Sequence, residues 1–70
     1  MTEVRAEITA NVWQVHVEAG QEVAEGDTIV ILESMKMEIP VEAEDDGTVK
    51  EIRCAEGDSV SEGDVLVVLD

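Results

Sequence analysis

Short apolar runs alternate along the whole chain with turn-forming residues. The runs are rich in valine and isoleucine, whose β-branched side chains favour strands. Glycines and acidic residues separate the runs, and no stretch has the spacing and length of a helix. The pattern therefore predicts an all-β protein.

Apolar and polar residues alternate most clearly over residues 12–17, which predicts a half-buried strand. Trp13 is expected in the core or at its rim near the first strand. His16 is expected on the surface, because no second histidine, cysteine or suitably spaced carboxylate accompanies it as a metal ligand. The two predicted faces are Trp13, Val15 and Val17 on one side and Val12, Gln14 and His16 on the other.

The remaining strands and turns follow from the same signals. Residues 1–10 alternate loosely and predict an opening strand, and Asn11 is predicted to be a turn. Asp46-Gly47 is a strong hairpin signal. The last run, residues 65–69, is too apolar for an edge strand facing water, so we expect it to pack centrally against residues 29–32.

The two halves of the chain repeat one pattern at a fixed offset of 37 positions, which aligns Val12 with Val49. Each copy reads Gly-x-x-Val-x-Glu-Gly-Asp and continues into an apolar strand. Two copies predict a closed domain with approximate two-fold symmetry. The repetition also favours a structural corner over a phosphate-binding loop, which would need a GK[ST] ending and a helix. The identical pairs are Gly20/Gly57, Val23/Val60, Glu25/Glu62, Gly26/Gly63 and Asp27/Asp64.

Lys36 lies near the middle of the chain, between the two copies of the repeat. Residues 28–32 precede it and residues 37–41 follow it, and two strand-like runs joined by a few residues predict a hairpin. Lys36 is one of only two lysines. Because a primary amine on a protruding turn is accessible to enzymes, we interpret Lys36 as a modification site.

Size and charge limit what the chain can do. Its 70 residues make a single domain, residues 1–70, and its formal net charge is −14. We expect no binding to nucleic acid or anionic membranes, because both need clustered Lys and Arg. The acidic excess indicates a solvated surface or adaptation to salt, and it favours a monomer. No apolar run approaches the about 20 residues of a membrane span.

The only cysteine, Cys54, has no partner for an internal disulfide. Together with the lack of a signal-peptide pattern, this predicts a cytoplasmic location. By the repeat, Cys54 corresponds to Val17 and is expected to be buried. The sequence offers no base–nucleophile pair, metal cluster or phosphate loop, so we expect no enzyme activity and no metal.

The stretch Glu33-Ser34-Met35-Lys36-Met37 resembles the attachment motif of the biotinyl/lipoyl attachment domain family. The resemblance extends from the first strand to Leu69 and includes the Gly-Asp corners and the Asp-Gly turn. It implies a flattened β-barrel (a barrel-sandwich hybrid) of two small antiparallel sheets with quasi-two-fold symmetry and a modified lysine on a hairpin tip. Methionine on both sides of the lysine favours biotin. Short free-standing biotin/lipoyl attachment proteins share the sequence Glu-Ser-Met-Lys-Met.

The family resemblance implies a non-catalytic swinging carrier. A biotin protein ligase would join biotin to the Lys36 ε-amino group as an amide. Biotin would then shuttle carboxyl groups between the biotin carboxylase and carboxyltransferase components of a carboxylase. Met35 and Met37 are expected to be recognised by the ligase or partner enzymes, or else only to cover the hairpin end. Glu33, Ser34 and Glu38 are further candidates for recognition. The alternative for the two glutamates is that they are only solvated.

Two other interpretations stay open at this point. The first is a lipoyl carrier, or a dual biotin/lipoyl acceptor, with lipoate on Lys36 in a 2-oxoacid dehydrogenase-type system. The flanking methionines argue against it, since lipoyl domains usually have Asp-Lys-Ala, although Glu33-Ser34 is closer to the lipoyl wording. The second is an unmodified structural module, which would have no need for a lysine on the tip.

Overall fold

The computed structural model describes residues 2–70, which form eight β-strands in two antiparallel sheets. The strand orders are β1-β8-β6-β3 in the first sheet and β5-β4-β2-β7 in the second. The domain measures 31 × 18 × 17 Å along its principal axes. The predicted all-β fold of two small sheets is confirmed. The strands are β1 (Thr2–Arg5), β2 (Ala10–Val15), β3 (Glu22–Val23), β4 (Thr28–Ser34), β5 (Met37–Glu42), β6 (Gly47–Ile52), β7 (Ser59–Val60) and β8 (Val65–Leu69).

The offset of 37 positions exchanges the two sheets. It maps β1 onto β5, β8 onto β4, β6 onto β2 and β3 onto β7, so the two strand orders are equivalent. The predicted approximate two-fold symmetry is therefore present in the fold. Each half of the repeat contributes strands to both sheets, which interlocks the halves around one core.

The repeated Glu-Gly-Asp segments form matching corners before β4 and β8. Gly26 and Gly63 have φ angles of 91° and 92°, a left-handed conformation that glycine adopts at little cost. Asp27 Oδ2 accepts the backbone N–H of Ala24 at 2.9 Å, and Asp64 makes the equivalent bond at 2.8 Å. The two aspartates thus bind nearby backbone amides, which agrees with the structural corner predicted from the repeat.

The hydrophobic core lies between the sheets and is centred on β4 and β8. Each is an inner strand of its own sheet. The apolar last run is therefore central, as predicted, although it is hydrogen-bonded to β1 and β6 and lies in the sheet opposite β4. The buried side chains from these two strands in the core cluster are Ile29, Val30, Leu32, Leu66, Val67 and Leu69.

A β-bulge changes the predicted faces of β2. The register of β2 against β4 shifts between Val12 and Gln14, so Trp13 is the extra residue. Val12 is buried in the core, whereas Trp13 is 43% exposed. The expected grouping of Trp13 with the buried Val17 was wrong, because a strict period of two does not continue through a bulge.

Two predicted turns are not turns in the structure. Asn11 lies within β2, where it pairs with Glu33 of β4 and its Oδ1 accepts the Ser59 hydroxyl at 3.0 Å. Asp46-Gly47 does not close a hairpin. The strand before it, β5, pairs with β4, and the strand after it, β6, pairs with β3 and β8. Asp46-Gly47 therefore carries the chain from one sheet to the other.

Gly47 is required for close packing rather than for a positive φ. A Cβ at this position would lie 3.1 Å from the carbonyl oxygen of Asp70, which is tighter than most such contacts. Glycine lets β6 begin directly against the end of β8.

The opening strand is shorter than predicted. Met1 lies outside the described residues, and β1 ends at Arg5. Ala6 is still buried, but Ile8 is 39% exposed beyond the strand. No helix within residues 2–70 has the length and apolarity needed to cross a membrane.

The corner glycines lead to a stability prediction. Gly26→Ala and Gly63→Ala should each lower the free energy of unfolding by about 1–2 kcal/mol, because a Cβ is disfavoured in the left-handed region. No atom lies within 4 Å of the position that either added Cβ would occupy, so the loss reflects backbone conformation rather than a clash. Urea denaturation would measure it. The control is Ser61→Ala in the same corner, which should stay within about 0.5 kcal/mol; losses in both glycine variants no larger than that would contradict the prediction.

Candidate functional site

Lys36 lies at the tip of the β4–β5 hairpin. Ser34 and Met37 form the last pair of the hairpin, which leaves Met35 and Lys36 as a two-residue turn. Their φ angles are 52° and 66°. Positive φ at both central residues is the property of type I′ turns, whose twist matches that of the flanking strands. The hairpin and the position of Lys36 at its tip are both confirmed.

The tip is held in a conformation that ordinary side chains disfavour. Met35 and Lys36 are the described non-glycine residues with positive φ. The left-handed region costs roughly 1–2 kcal/mol for a non-glycine residue. The paired strands fix the turn and offset this strain. As a result, consecutive side chains project from the end of the domain.

Side chains at the tip are largely exposed. Met35 is 91% exposed and Met37 61%. Lys36 is also exposed, and its side chain forms no hydrogen bond or ion pair with the residues that the structure describes. The ε-amino group is therefore available to an enzyme, and a long acyl group joined to it would extend into solvent.

Two carboxylates face each other one pair back from the tip. Glu33 of β4 and Glu38 of β5 are direct cross-strand partners, and both are exposed. Like charges directly opposite one another destabilise a strand pair by a fraction of a kcal/mol. The hairpin end thus combines two exposed methionines, one cationic amine and an acidic pair.

The tip lies at the opposite end of the domain from the described carboxyl end of the chain. β5 leads away from Lys36 for six residues, about 20 Å at the usual strand rise. The crossover that follows brings the chain to Gly47, which is next to Asp70. Thr2 pairs with Leu69 at this same end. A chain attached at either terminus would leave the hairpin tip unobstructed.

Comparison with known proteins identifies the fold. A family model described as "Biotin-requiring enzyme" matches residues 2–69. The chain belongs to the biotin/lipoyl attachment family. The biotinylated protein TB7.3 homolog of Mycolicibacterium smegmatis is 64% identical over 39 residues, which are 56% of this chain and 55% of that protein. The biotin/lipoyl attachment protein of Bacillus subtilis is 52% identical over 44 residues, covering 63% and 60% of the two chains. The matches span a little over half the length of these relatives.

Solved structures show the same biotin/lipoyl fold inside much larger chains. The crystal structure of Kluyveromyces lactis urea carboxylase superposes with a TM-score of 0.92 at 33% identity, over 99% of this chain and 6% of that one. A single-chain, multi-domain long-chain acyl-CoA carboxylase matches with a TM-score of 0.89 at 29% identity, over 94% and 6%. Regions that share this fold are therefore present within two carboxylases.

The remaining reactive side chains, His16 and Cys54, lie outside the β4–β5 hairpin. His16 is exposed, as expected, and its Nε2 lies 2.7 Å from Gln14 Oε1. Cys54 is buried, also as expected, and burial, with a smaller contribution from Asp58, raises the pKa of its thiol. Residues 2–70 contain no cluster of three or more His, Cys, Asp or Glu side chains that could hold a metal ion.

The strained turn of the biotin/lipoyl hairpin gives a second prediction. Met35→Asn should raise the free energy of unfolding by about 0.5–1 kcal/mol, because asparagine tolerates the left-handed region better than methionine does. Little packing would be lost, since Met35 is almost fully exposed. Urea denaturation of the isolated domain would measure the gain.

Met37→Asn is the matched control for the turn substitution. Met37 is also exposed but lies in β5 without a positive φ. Asparagine is a poor strand residue, so this variant should be no more stable than the parent protein. Equal effects of the two substitutions would show that the turn is not strained.

Proposed function

We propose that Lys36 is the attachment site for biotin and that the domain carries carboxyl groups between the active sites of a biotin-dependent carboxylase. The observation that supports this most directly is an exposed lysine amine, with no partner among the described residues, on the tip of a two-residue turn in a biotin/lipoyl fold. The biotinylated relatives and the carboxylase structures support the choice of cofactor. The amide would form between the biotin carboxyl group and Lys36 Nζ.

The domain's part in this function is to bind, expose and move the cofactor. Biotin, when attached, supplies the group that accepts and donates carboxyl groups. The hairpin holds Lys36 about 20 Å, by strand length, from the end where the domain would be tethered. Tethering raises the effective concentration of a carried group at each active site to the order of mM. On this proposal the domain contributes no catalytic side chain.

The partners on this proposal are a biotin protein ligase and the biotin carboxylase and carboxyltransferase components. We further propose that the free domain is a cytoplasmic monomer. Its net charge of −14 opposes self-association. It also opposes contact with nucleic acid and anionic membranes.

Recognition of the hairpin would involve the residues around Lys36. Met35 and Met37 are exposed thioethers, which suit adaptable apolar contacts with more than one enzyme. Glu33 and Glu38 form an unfavourable acidic pair, which we propose is kept because the ligase presents basic groups to it. Ser34 closes the turn opposite Met37.

Substitution of the attachment residue tests the proposal. In Lys36→Arg, loading by a biotin protein ligase should be abolished, because the guanidinium stays protonated and is not a nucleophile. Arginine keeps the charge and the exposed position, so the free energy of unfolding should change by less than about 0.5 kcal/mol. Intact mass and peptide mapping after incubation with ligase, ATP and biotin would show the result.

The other lysine provides the control for loading. Lys50→Arg should be loaded as fully as the parent protein. A biotin increment that survives in Lys36→Arg would disprove the site. If the parent protein gained mass only with a lipoate ligase and lipoate, the carrier would belong to the lipoyl type. Failure with both ligases would leave a structural module.

The acidic pair yields a prediction with two readouts of opposite sign. Glu38→Gln removes the like-charge opposition and should raise the free energy of unfolding by about 0.2–1 kcal/mol. The same change should slow biotinylation, because one group that attracts a basic ligase surface is lost. Thermal or urea unfolding and the rate of biotin incorporation would measure the two effects.

Glu44→Gln is a control outside the hairpin, since Glu44 is exposed in the crossover after β5. It makes the same change in net charge and should leave both the free energy of unfolding and the rate of biotinylation nearly unchanged. Unchanged loading of Glu38→Gln would mean that the acids only solvate the hairpin.

A further inference from the structure

The internal repeat allows the outer faces of the two sheets to be compared position by position. On the second sheet, Ile31 of β4 is paired with Pro40 of β5 and with Gln14 of β2, beside the bulge residue Trp13. Ile31 and Pro40 alternate with the core-facing Leu32 and Ile39, so they point outward. Trp13 follows the buried Val12 and is exposed. We call Trp13, Ile31 and Pro40 the apolar row.

The equivalent positions on the first sheet are charged at both sides. Adding or subtracting 37 positions relates Trp13 to Lys50, Ile31 to Val68 and Pro40 to Glu3. Glu3 and Glu51 are the cross-strand partners of Val68.

The charged residues on the two sides of Val68 shield it, whereas the apolar row does not shield Ile31. Val68 is only 4% exposed, although it does not belong to the core cluster between the sheets. The stems of long charged side chains can cover apolar surface in this way. On the two strands that flank Val68, Glu3 of β1 pairs with Arg5, and Glu51 of β6 pairs with Arg53 just after the strand. Ile31, by contrast, remains half-buried between an exposed tryptophan and an exposed proline.

The apolar row lies on the sheet that also presents Lys36. β4 and β5 continue from Ile31 and Pro40 to the turn, a distance of five residues or about 15 Å from Ile31 to Lys36. The acidic pair Glu33 and Glu38 lies between the row and the turn on the same outward face. An apolar strip bordered by acids is thus continuous with the proposed loading site.

We propose that the apolar row is a docking surface for the enzyme that attaches biotin to Lys36, which would meet it with an apolar patch bordered by basic side chains. This proposal rests on Lys36 being the loading site. Charge complementarity supports such a partner, because the acids next to the row would pair with its basic rim. A tryptophan at the centre of an interface can supply much of its affinity.

The ligase fits this face better than the other partners of the carrier. Its reacting centre must reach Lys36 Nζ itself, so its surface must close against the hairpin and the adjoining sheet. An enzyme that acts on the far end of the attached cofactor can stay beyond the tip. A second copy of the domain is disfavoured, because each copy has a net charge of −14 and would bring its own acidic pair to the contact.

The test transfers the charged pattern of the first sheet onto the second. Trp13→Lys with Pro40→Glu copies the residues found at Lys50 and Glu3 and leaves the net charge unchanged. With a purified biotin protein ligase, the KM for the domain should rise about tenfold, the effect of losing one strong interface anchor, while kcat stays within about twofold. Lys50→Gln, at the repeat-related position on the opposite face, should leave both constants unchanged. Circular dichroism and thermal unfolding would verify that each variant is folded.

The outcomes separate this inference from the proposed function. Loading of the parent protein at Lys36 is the reference. If the parent protein were not loaded there, the proposed function itself would be wrong. If the parent is loaded and the double variant has the same KM, or Lys50→Gln raises KM equally, the docking surface is wrong. A mass that rises with concentration in the parent but not in the double variant, measured by sedimentation, would assign the face to a second copy and overturn the proposal.

A binding measurement that does not depend on turnover completes the test. Trp13 is the only tryptophan, so the domain labelled with 5-fluorotryptophan should give a single ¹⁹F resonance. In the Lys36→Arg background, which cannot be loaded, addition of ligase should shift or broaden this resonance. A resonance that stays unchanged at ligase concentrations above the parent's KM would contradict docking at Trp13.

Discussion

Reciprocal backbone hydrogen bonds at two corners hold the frame on which the rest of the domain depends. Gly26 donates to the carbonyl of Ala43, and Ala43 donates to Asp27 at 2.9 Å. The same exchange links Gly63, Ala6 and Asp64. Each corner thereby ties the start of an inner strand to the residue that follows an edge strand. Because these bonds fix where β4 begins and where β5 ends, they also fix the position of the hairpin between them.

The hairpin tip shows how a small domain can support an unfavourable local geometry. A chain of this size buries only about 60% of its unfolded surface and has little stability to spare. It still holds two non-glycine residues at positive φ and two carboxylates opposite each other. Both features are local to the tip, while the core between β4 and β8 lies below it. The domain thus confines the cost to the hairpin tip, away from the core.

The internal symmetry is broken at one end of the domain and on the outer faces of the two sheets. The repeat makes the corners and strand orders equivalent, so neither sheet differs from the other in architecture. The sheets differ in the side chains that this architecture displays. At the end that would match the Lys36 turn, the chain instead has Leu69 paired with Thr2. On the outer faces, charged positions on one sheet correspond to Trp13 and Pro40 on the other.

The sequence alone determined those features that depend on short-range pattern. The 37-residue repeat predicted the two-fold symmetry and the corners, because turn chemistry at Gly26 and Asp27 is local. The runs on either side of Lys36 predicted the hairpin. What it could not determine was which strands pair at a distance. Asp46-Gly47 has the residues of a local hairpin turn. However, β5 is paired with β4, so the segment after β5 crosses to the other sheet. Trp13 similarly faces solvent because the pairing of β2 with β4 contains a bulge, a property of two strands together that neither run of residues reveals by itself.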